Sequence, residues 1–283
     1  MILVTGSSGN VGAAVVDELR ARGAPFRLGV RRPASVIRRG GEEIVSLDFL
    51  DASTFRGAAR GCDAVFLLRP PVVSNTRRTL NPFIDVAREE GVRHIVFLSV
   101  AGAGTNPFVP HHAVENHLRD RAGGWTLLRP GFFAQNLGGA YRDDIARDDR
   151  LFVPAGGGRV AFVDVRDVAE VAASALVSPR AHDARSYTLT GPDPITFFEA
   201  AALLSRELAR RIRYEPASVP AYAAHLRRRG MPLAQIAVQT VLHVGLRLGQ
   251  AERVDDTLGR LLGRRPRSLA AYVRDHRALW TRS

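Results

Sequence analysis

Short apolar runs alternate with stretches of helical periodicity through the first half of the chain, which is the pattern of strand and helix repeated in turn. Strands are predicted at Ile2 to Thr5, Phe26 to Val30, Glu43 to Ser46, Ala64 to Leu68, His94 to Ser99 and Trp125 to Arg129. Helices are predicted between them at Val11 to Arg22, Ala52 to Ala59, Thr76 to Glu90 and Ala113 to Arg121. Strands separated by helices pair in parallel, so the pattern implies an α/β fold, a doubly wound sheet of six parallel strands with helices on both faces. In such a sheet a ligand lies beyond the carboxyl ends of the strands. Residues 6–12, Arg31, Asp48, residues 68–71, 99–102 and 130–136 fall on that edge.

Beyond Asn136 the pattern loosens through Asp143 to Pro154 and a Gly156-Gly157-Gly158 turn. Val160 to Val165 reads as a strand and Asp167 to Leu176 as a helix, followed by short strands at Ser186 to Thr190 and Arg213 to Glu215. Thr196 with Glu199 three residues later is a capping-box signature for a helix start. Helices at Ala221 to Arg229, Leu233 to Leu248, Val254 to Leu262 and Ser268 to Trp280 complete the tail. The expected organisation is a ligand-binding sheet domain over residues 1–153, with residues 160–190 returning to it, and a smaller, mostly helical part over residues 191–283 that would bind substrate.

The first strand runs into a turn with Gly6, Gly9 and Gly12 and restarts as a helix whose apolar positions are Val11, Ala14, Val15 and Leu19. Strand, glycine turn and helix in that order put backbone N–H groups and a helix N-terminus at one point, where a dinucleotide pyrophosphate binds. In that Rossmann-type arrangement Gly6 serves the tight turn, Gly9 the approach of phosphate and Gly12 the packing of helix on strand, while Ser7, Ser8 and Asn10 add donors and Val11 opens the helix. The second strand ends in Arg31-Arg32 where an acidic residue would hold the ribose hydroxyl of NAD. Guanidinium groups there can pair with a 2′-phosphate, so the cofactor expected is NADPH/NADP, with NADH possible. Asp48 and Phe49, at the end of the third strand, are placed for the adenine edge; the other role open to Asp48, capping the following helix, suits Asp51 better. Leu68, Arg69 and Pro70 after the fourth strand, and Ser99 and Val100 after the fifth, complete the expected contacts.

Composition narrows the class. The net charge of +12 comes entirely from arginine, because the 283 residues include no lysine. The arginines are spread along the chain, with local clusters at residues 227–229 and 264–267, and no groove-entering motif accompanies them. This argues against a nucleic-acid partner. The longest apolar stretch, Ile236 to Leu248, is interrupted by Gln239, His243 and Arg247 and is too short to span a bilayer. With no leader before the first strand, a soluble cytoplasmic protein without membrane contact is expected. The one cysteine, Cys62, excludes an internal disulfide and a cysteine-based metal site and reads as a small buried hydrophobe. Nothing in the sequence chooses between monomer and homodimer.

Several blocks together, namely TGSSGNVG, VRRP, LDFLD, DAVFLLRPP, HIVFLSVAGA, HHAVENHLRDRAGGWTLLRPGFFAQNL and VAFVDVRDVAEVAA, resemble the NmrA-like branch of atypical short-chain dehydrogenases. The resemblance implies an NADPH-dependent reductase or a nucleotide-binding redox sensor. It also implies a Ser, a Tyr and a Lys four residues after that Tyr as the catalytic set. The absence of lysine removes that set: the Lys position falls on His111 and the Tyr position on Pro107. By family position His111 becomes a candidate ribose ligand or proton donor, and Ser99 a candidate partner of a substrate carbonyl. Phe132, Phe133 and Asn136 are set against nicotinamide or substrate. Phe66, Phe97 and Phe162 read as core, Asp164 and Asp167 as structural, and Tyr141 and Tyr187 as replacement acids without a positional argument. No metal ligand set is expected. Hydride transfer without a side-chain acid suits an acceptor that stabilises its own developing charge. The expected activity is therefore reduction of a quinone or a polycyclic aromatic, polyketide-type ketone, resembling angucyclinone ketoreductases that lack the usual residues. The alternative is an NADP(H)-binding regulator that senses redox state.

Overall fold

The computed structural model describes residues 1–35 and 42–281. The chain divides into two compact units, residues 1–130 with 165–189, and residues 131–164 with 190–283. The first unit opens with β1 (Ile2–Thr5), α1 (Asn10–Ala21), β2 (Phe26–Val30), β3 (Glu43–Ser46), α2 (Ser53–Ala59) and β4 (Ala64–Leu68). It continues with α3 (Leu80–Glu89), β5 (His94–Leu98), α4 (Pro110–Asp120) and β6 (Gly124–Pro130). The second unit then takes α5 (Arg142–Asp148), β7 (Arg150–Leu151) and β8 (Arg159–Ala161), and the first resumes as α6 (Val165–Val177), α7 (Pro179–His182) and β9 (Arg185–Leu189). The rest belongs to the second unit: β10 (Pro194–Thr196), α8 (Phe197–Glu207), β11 (Arg213–Tyr214), α9 (Val219–Arg228), α10 (Leu233–Arg247), α11 (Thr257–Leu262) and α12 (Leu269–Asp275).

Among the described residues the first unit holds one parallel sheet in the order β3-β2-β1-β4-β5-β6-β9. The order reverses between β1 and β4, which makes the carboxyl end of β1 the switch point. β1 and β5 are buried along their whole length, as strands covered on both faces must be. Leu3, Val65, Leu67, Ile95, Phe97 and Leu127 pack with Phe55, Phe83, Ile84, Val114 and Leu118 from α2, α3 and α4. The alternate residues, Val4, Phe66, Val96 and Leu128, are equally buried and by the strand period face the other way, where α1 and α6 lie together.

Two expectations change here. The sheet has seven strands and not six, because β9 pairs in parallel with β6 from Thr126 opposite Arg185 to Pro130 opposite Leu189. The first boundary falls after Pro130 and not at residue 153, because Leu137, Tyr141, Ile145, Leu151 and Val153 are buried with Phe162, Phe197, Leu204 and Tyr272 in the core of the second unit. That core also holds Trp280, fully buried, whose indole Nε1–H donates to the Leu137 carbonyl at 3.0 Å. The capping box forms as read: Thr196 Oγ1 accepts from the Glu199 N–H while the Glu199 carboxylate accepts from the Thr196 N–H. Cys62 is a buried free thiol, pushed up by burial.

His94 shows how the sheet is sewn. Its Nε2–H donates to Thr126 Oγ1 at 2.9 Å, and Thr126 donates onward to the His182 carbonyl at 2.8 Å, which links β5, β6 and α7. Burial pushes the His94 imidazole down to about 4, with Arg88 and His182 acting in the same sense against Asp183. The unfolded chain protonates this histidine near 6.5, so between these values it binds more protons than the folded one. Stability from this residue is therefore complete above about pH 6.5 and is lost as pH falls through about 4. Denaturant unfolding should show the wild type losing stability over that window and a His94→Gln variant losing about 1 to 3 kcal/mol less. Identical pH slopes for the two proteins would contradict this.

Candidate active site at the carboxyl edge of the sheet

The turn after β1 is built around a close approach. A side chain at Gly12 would put its Cβ 2.2 Å from the Gly6 carbonyl oxygen, and neither partner is a side chain that could move aside. Gly6 has φ +67° and Gly9 is extended, with its N–H donating to the Gly6 carbonyl at 3.0 Å. Gly9 caps α1 without a side-chain hydrogen bond, and the first turn carries no acidic residue. The first N–H groups of α1 thus have no internal partner, and the positive end of the helix is uncompensated. The side chains of Ser7, Ser8 and Asn10 make no hydrogen bond among the described residues, and Ser8 and Asn10 are exposed. This cradle fits a dinucleotide pyrophosphate.

Thr5 fixes the turn from below. Its hydroxyl donates to the Phe66 carbonyl at 3.0 Å and accepts from the Leu68 N–H at 2.8 Å, tying β1 to β4. This residue was missed in the sequence, where a threonine ending a strand carries no distinctive signal. The Leu68 N–H is consequently committed within the protein, and only its side chain, 3.1 Å from a Cβ placed at Gly6, lines the turn.

Arg31 and Arg32 are exposed at the end of β2, and the Arg31 guanidinium makes no ion pair among the described residues. It is available to an anion. Asp48 is half-buried and turns Oδ1 back to the Leu50 N–H at 3.0 Å, while Asp51 takes Ser53 as its partner. Phe49 departs from expectation: its ring is buried against Phe55 and Phe83, with centroids 6.4 and 5.3 Å away, so it packs the core and cannot stack on an adenine. The loop after β4 is held by Arg69, which donates through one terminal nitrogen to the carbonyls of Val73 at 2.5 Å and Pro70 at 3.2 Å.

The end of β5 is governed by Glu115, a fully buried carboxylate on α4. Arg129 approaches it side on, Nε to Oε1 at 2.9 Å and a terminal nitrogen to Oε2 at 2.5 Å, and Arg119 adds a contact at 3.0 Å. Burial pushes the Glu115 carboxyl up, but hydrogen bonds from Arg129 and Ser99 outweigh it and hold the group below its ordinary value. Ser99 Oγ lies 2.6 Å from Oε1. Because an ionised carboxylate only accepts, the serine proton lies between them. Ser99 therefore cannot donate to a substrate carbonyl as expected; its remaining capacity is to accept. Val100 accepts through its carbonyl from the Ala103 N–H at 3.2 Å.

His111 opens α4 with its Nε2 facing Arg69 Nε at 3.3 Å and its ring tilted against Phe97 at a centroid distance of 5.8 Å. Burial, reinforced by Arg69 and opposed by Glu115, pushes the imidazole down to about 4. The neutral imidazole is therefore the favoured form at pH 7, which weighs for the ligand reading of His111 over the proton-donor one. His112 is fully engaged, with Ala103 at 2.7 Å and Asn116 at 3.0 Å.

The remaining candidates are each engaged within the protein. Phe132 belongs to the second unit, half-buried and edge-on to Phe162, Phe197 and His243 at 5.7, 6.5 and 6.1 Å, so packing is its role in this structure. Phe133 bridges Val163, and Asn136 sits in a short 3-10 turn whose carbonyl accepts from the Tyr141 N–H. Tyr141 is buried and bonded to His243 Nε2, and Tyr187 is bonded to His182 at 3.0 Å, so neither phenol is a free acid. Among the described residues no cluster of His, Cys, Asp and Glu could hold a metal ion, and no helix is long and apolar enough to cross a membrane.

Residues 6–179 match the family model described as NAD(P)H-binding. The chain is 31% identical to the NAD(P)H azoreductase of Xenophilus azovorans, with 98% of each chain covered. It is 34% identical to the (4-alkanoyl-5-oxo-2,5-dihydrofuran-3-yl)methyl phosphate reductase of Streptomyces griseus, again with 98% of each covered. The crystal structure of the NADPH-dependent quinone oxidoreductase of Escherichia coli complexed with NADPH superposes with a TM-score of 0.86 at 26% identity, covering 98% of this chain and 100% of the other. Over more than half its length, and with glycine turn, parallel sheet and switch point in place, the chain belongs to the NAD(P)H-binding family of oxidoreductases.

Proposed function

We propose that the protein is an NADPH-dependent reductase that passes hydride directly to a quinone or a polycyclic aromatic, polyketide-type ketone. One observation carries the reading: the carboxyl edge offers a dinucleotide cradle, and among the described residues neither Ser99 nor His111 is poised to transfer a proton. Ser99 donates its hydrogen bond to Glu115, His111 is neutral, and the chain contains no lysine. Residues 6–12 would hold the pyrophosphate, Arg31 with Arg32 the 2′-phosphate, and Asp48 the adenosine side of the turn.

Bound reduced nicotinamide supplies a hydride and its electron pair. The residues of the edge act by position: Arg69 fixes the loop after β4, and Glu115 fixes Ser99 as an acceptor for an amide N–H. Orientation of this kind can contribute roughly 7 to 11 kcal/mol to a barrier in the best cases. A quinone that takes a hydride becomes a hydroquinone anion, stabilised by its own ring, and takes its proton from water. An unactivated alkyl ketone would form a localised alkoxide with no donor acid beside it. The azoreductase and quinone oxidoreductase names of similar proteins point to conjugated, electron-poor acceptors as well.

Purified protein mixed with NADPH and a series of quinones, polycyclic aromatic ketones and simple alkyl ketones should oxidise NADPH with the first two classes and leave the third untouched. Turnover of alkyl ketones alone, or of nothing in the series, would remove this reading. Arg31→Glu should weaken NADPH binding about 10- to 100-fold, the value of one or two charge-assisted hydrogen bonds, and leave NADH binding nearly unchanged. Equal losses for both nucleotides in a fluorescence titration would take Arg31 away from the 2′-phosphate.

A further inference from the structure

We propose that Arg69 is a positioning residue that fixes His111 as its Nδ1–H tautomer, so that the imidazole presents one unsatisfied hydrogen-bond donor to an oxygen of the bound nucleotide or of the acceptor. The identity of those ligands rests on the reductase reading; the tautomer does not.

Guanidinium nitrogens only donate. With Arg69 Nε 3.3 Å from His111 Nε2, that ring nitrogen must be the acceptor, and in a neutral ring the proton is then on Nδ1. Arg69 is not free to swing away, because its terminal nitrogen is held by the Val73 and Pro70 carbonyls. The same loop is tied to the start of α4, where Thr76 Oγ1 donates to the Pro110 carbonyl at 2.9 Å. The ring itself is confined by Phe97 and is 8% exposed.

Nδ1 of this ring is buried and has no hydrogen-bond partner. A buried N–H without an acceptor costs about 1 to 3 kcal/mol, and such a group is commonly completed by a ligand or an ordered water. The charged groups acting on the ring are Arg69, from the loop after β4, and Glu115, from α4 itself. Burial and Arg69 outweigh Glu115, so the ring stays neutral well below pH 7. A neutral imidazole that lost its remaining proton would leave an imidazolate, so His111 donates a hydrogen bond and does not transfer the proton. Neutral histidines serve as electrophiles in this way in other enzymes. The oxygen it serves is a hydroxyl of the nicotinamide ribose or the carbonyl of the acceptor, two sources of one chemistry.

Long-range proton–nitrogen correlation spectra of histidine-labelled protein at neutral pH, with the His111 signal identified by its loss in His111→Gln, test this directly. The ligand-free protein should show a protonated Nδ1 and an unprotonated Nε2. In Arg69→Met, which keeps the length of the side chain and removes the donor, the signal should move toward the Nε2–H form. The same variant should lose kcat about 10- to 100-fold, the scale of one preorganised donor, with a much smaller change in the acceptor KM. A shift of the Nδ1–H signal on adding NADP⁺ alone assigns the ribose, and a shift only after a hydroquinone is added as well assigns the carbonyl. A wild-type ring already in the Nε2–H form, or a signal that moves in neither complex, overturns the proposal. A correct tautomer and a nucleotide-induced shift in a protein that oxidises no NADPH would leave it standing and remove the reductase reading.

Discussion

The start of α1 can press against the end of β1 only if position 12 carries no side chain, and the rest of the site depends on that contact. A Cβ there would lie 2.2 Å from the Gly6 oxygen, a distance that would force helix and strand apart. With glycine the helix begins at the switch point of the sheet, its first N–H groups point outward, and Thr5 ties the strand beneath to β4. A pyrophosphate gains several aligned donors and the positive end of a helix at one place. Residues from β2, β4 and β5 reach the same edge because the strands are parallel and in register.

A second constraint sets the chemistry. Glu115 is buried without exposure and survives as a carboxylate because Arg129, Arg119 and Ser99 surround it. Removing one partner of such a group typically costs about 3 to 5 kcal/mol, so the arrangement is coupled to the fold. Its consequence reaches the active edge: the Ser99 proton is already used. His111 is held neutral by burial and by Arg69, so in the proposed reductase these two residues orient and polarise and do not protonate.

Much of this was legible in the sequence, and what was not has physical reasons. The glycine turn, the strands of the first half and the Arg31-Arg32 pair are local features, set by residues next to one another, and the Thr196 and Glu199 cap is the same. The seventh strand was seen as a strand, but its partner was not, since pairing β9 with β6 joins residues about sixty apart. Residues 131–153 and 160–164 read as part of the sheet domain because their apolar pattern does not say which core receives it. Phe49 and Phe132 show the same limit: an aromatic residue beside a binding edge can face the ligand or the interior, and here both face the interior. The state of Ser99 was hidden entirely, because it depends on a carboxylate sixteen residues away.

Hydride transfer at an edge without a titrating acid should be indifferent to pH. Single-turnover oxidation of saturating NADPH by a quinone, followed from about pH 5.5 to 8.5, should vary by no more than about twofold, since the Ser99 hydroxyl is committed to Glu115 and the His111 imidazole stays neutral across that range. A rate that falls about tenfold per pH unit on the alkaline side would reveal a side-chain acid and contradict this mechanism.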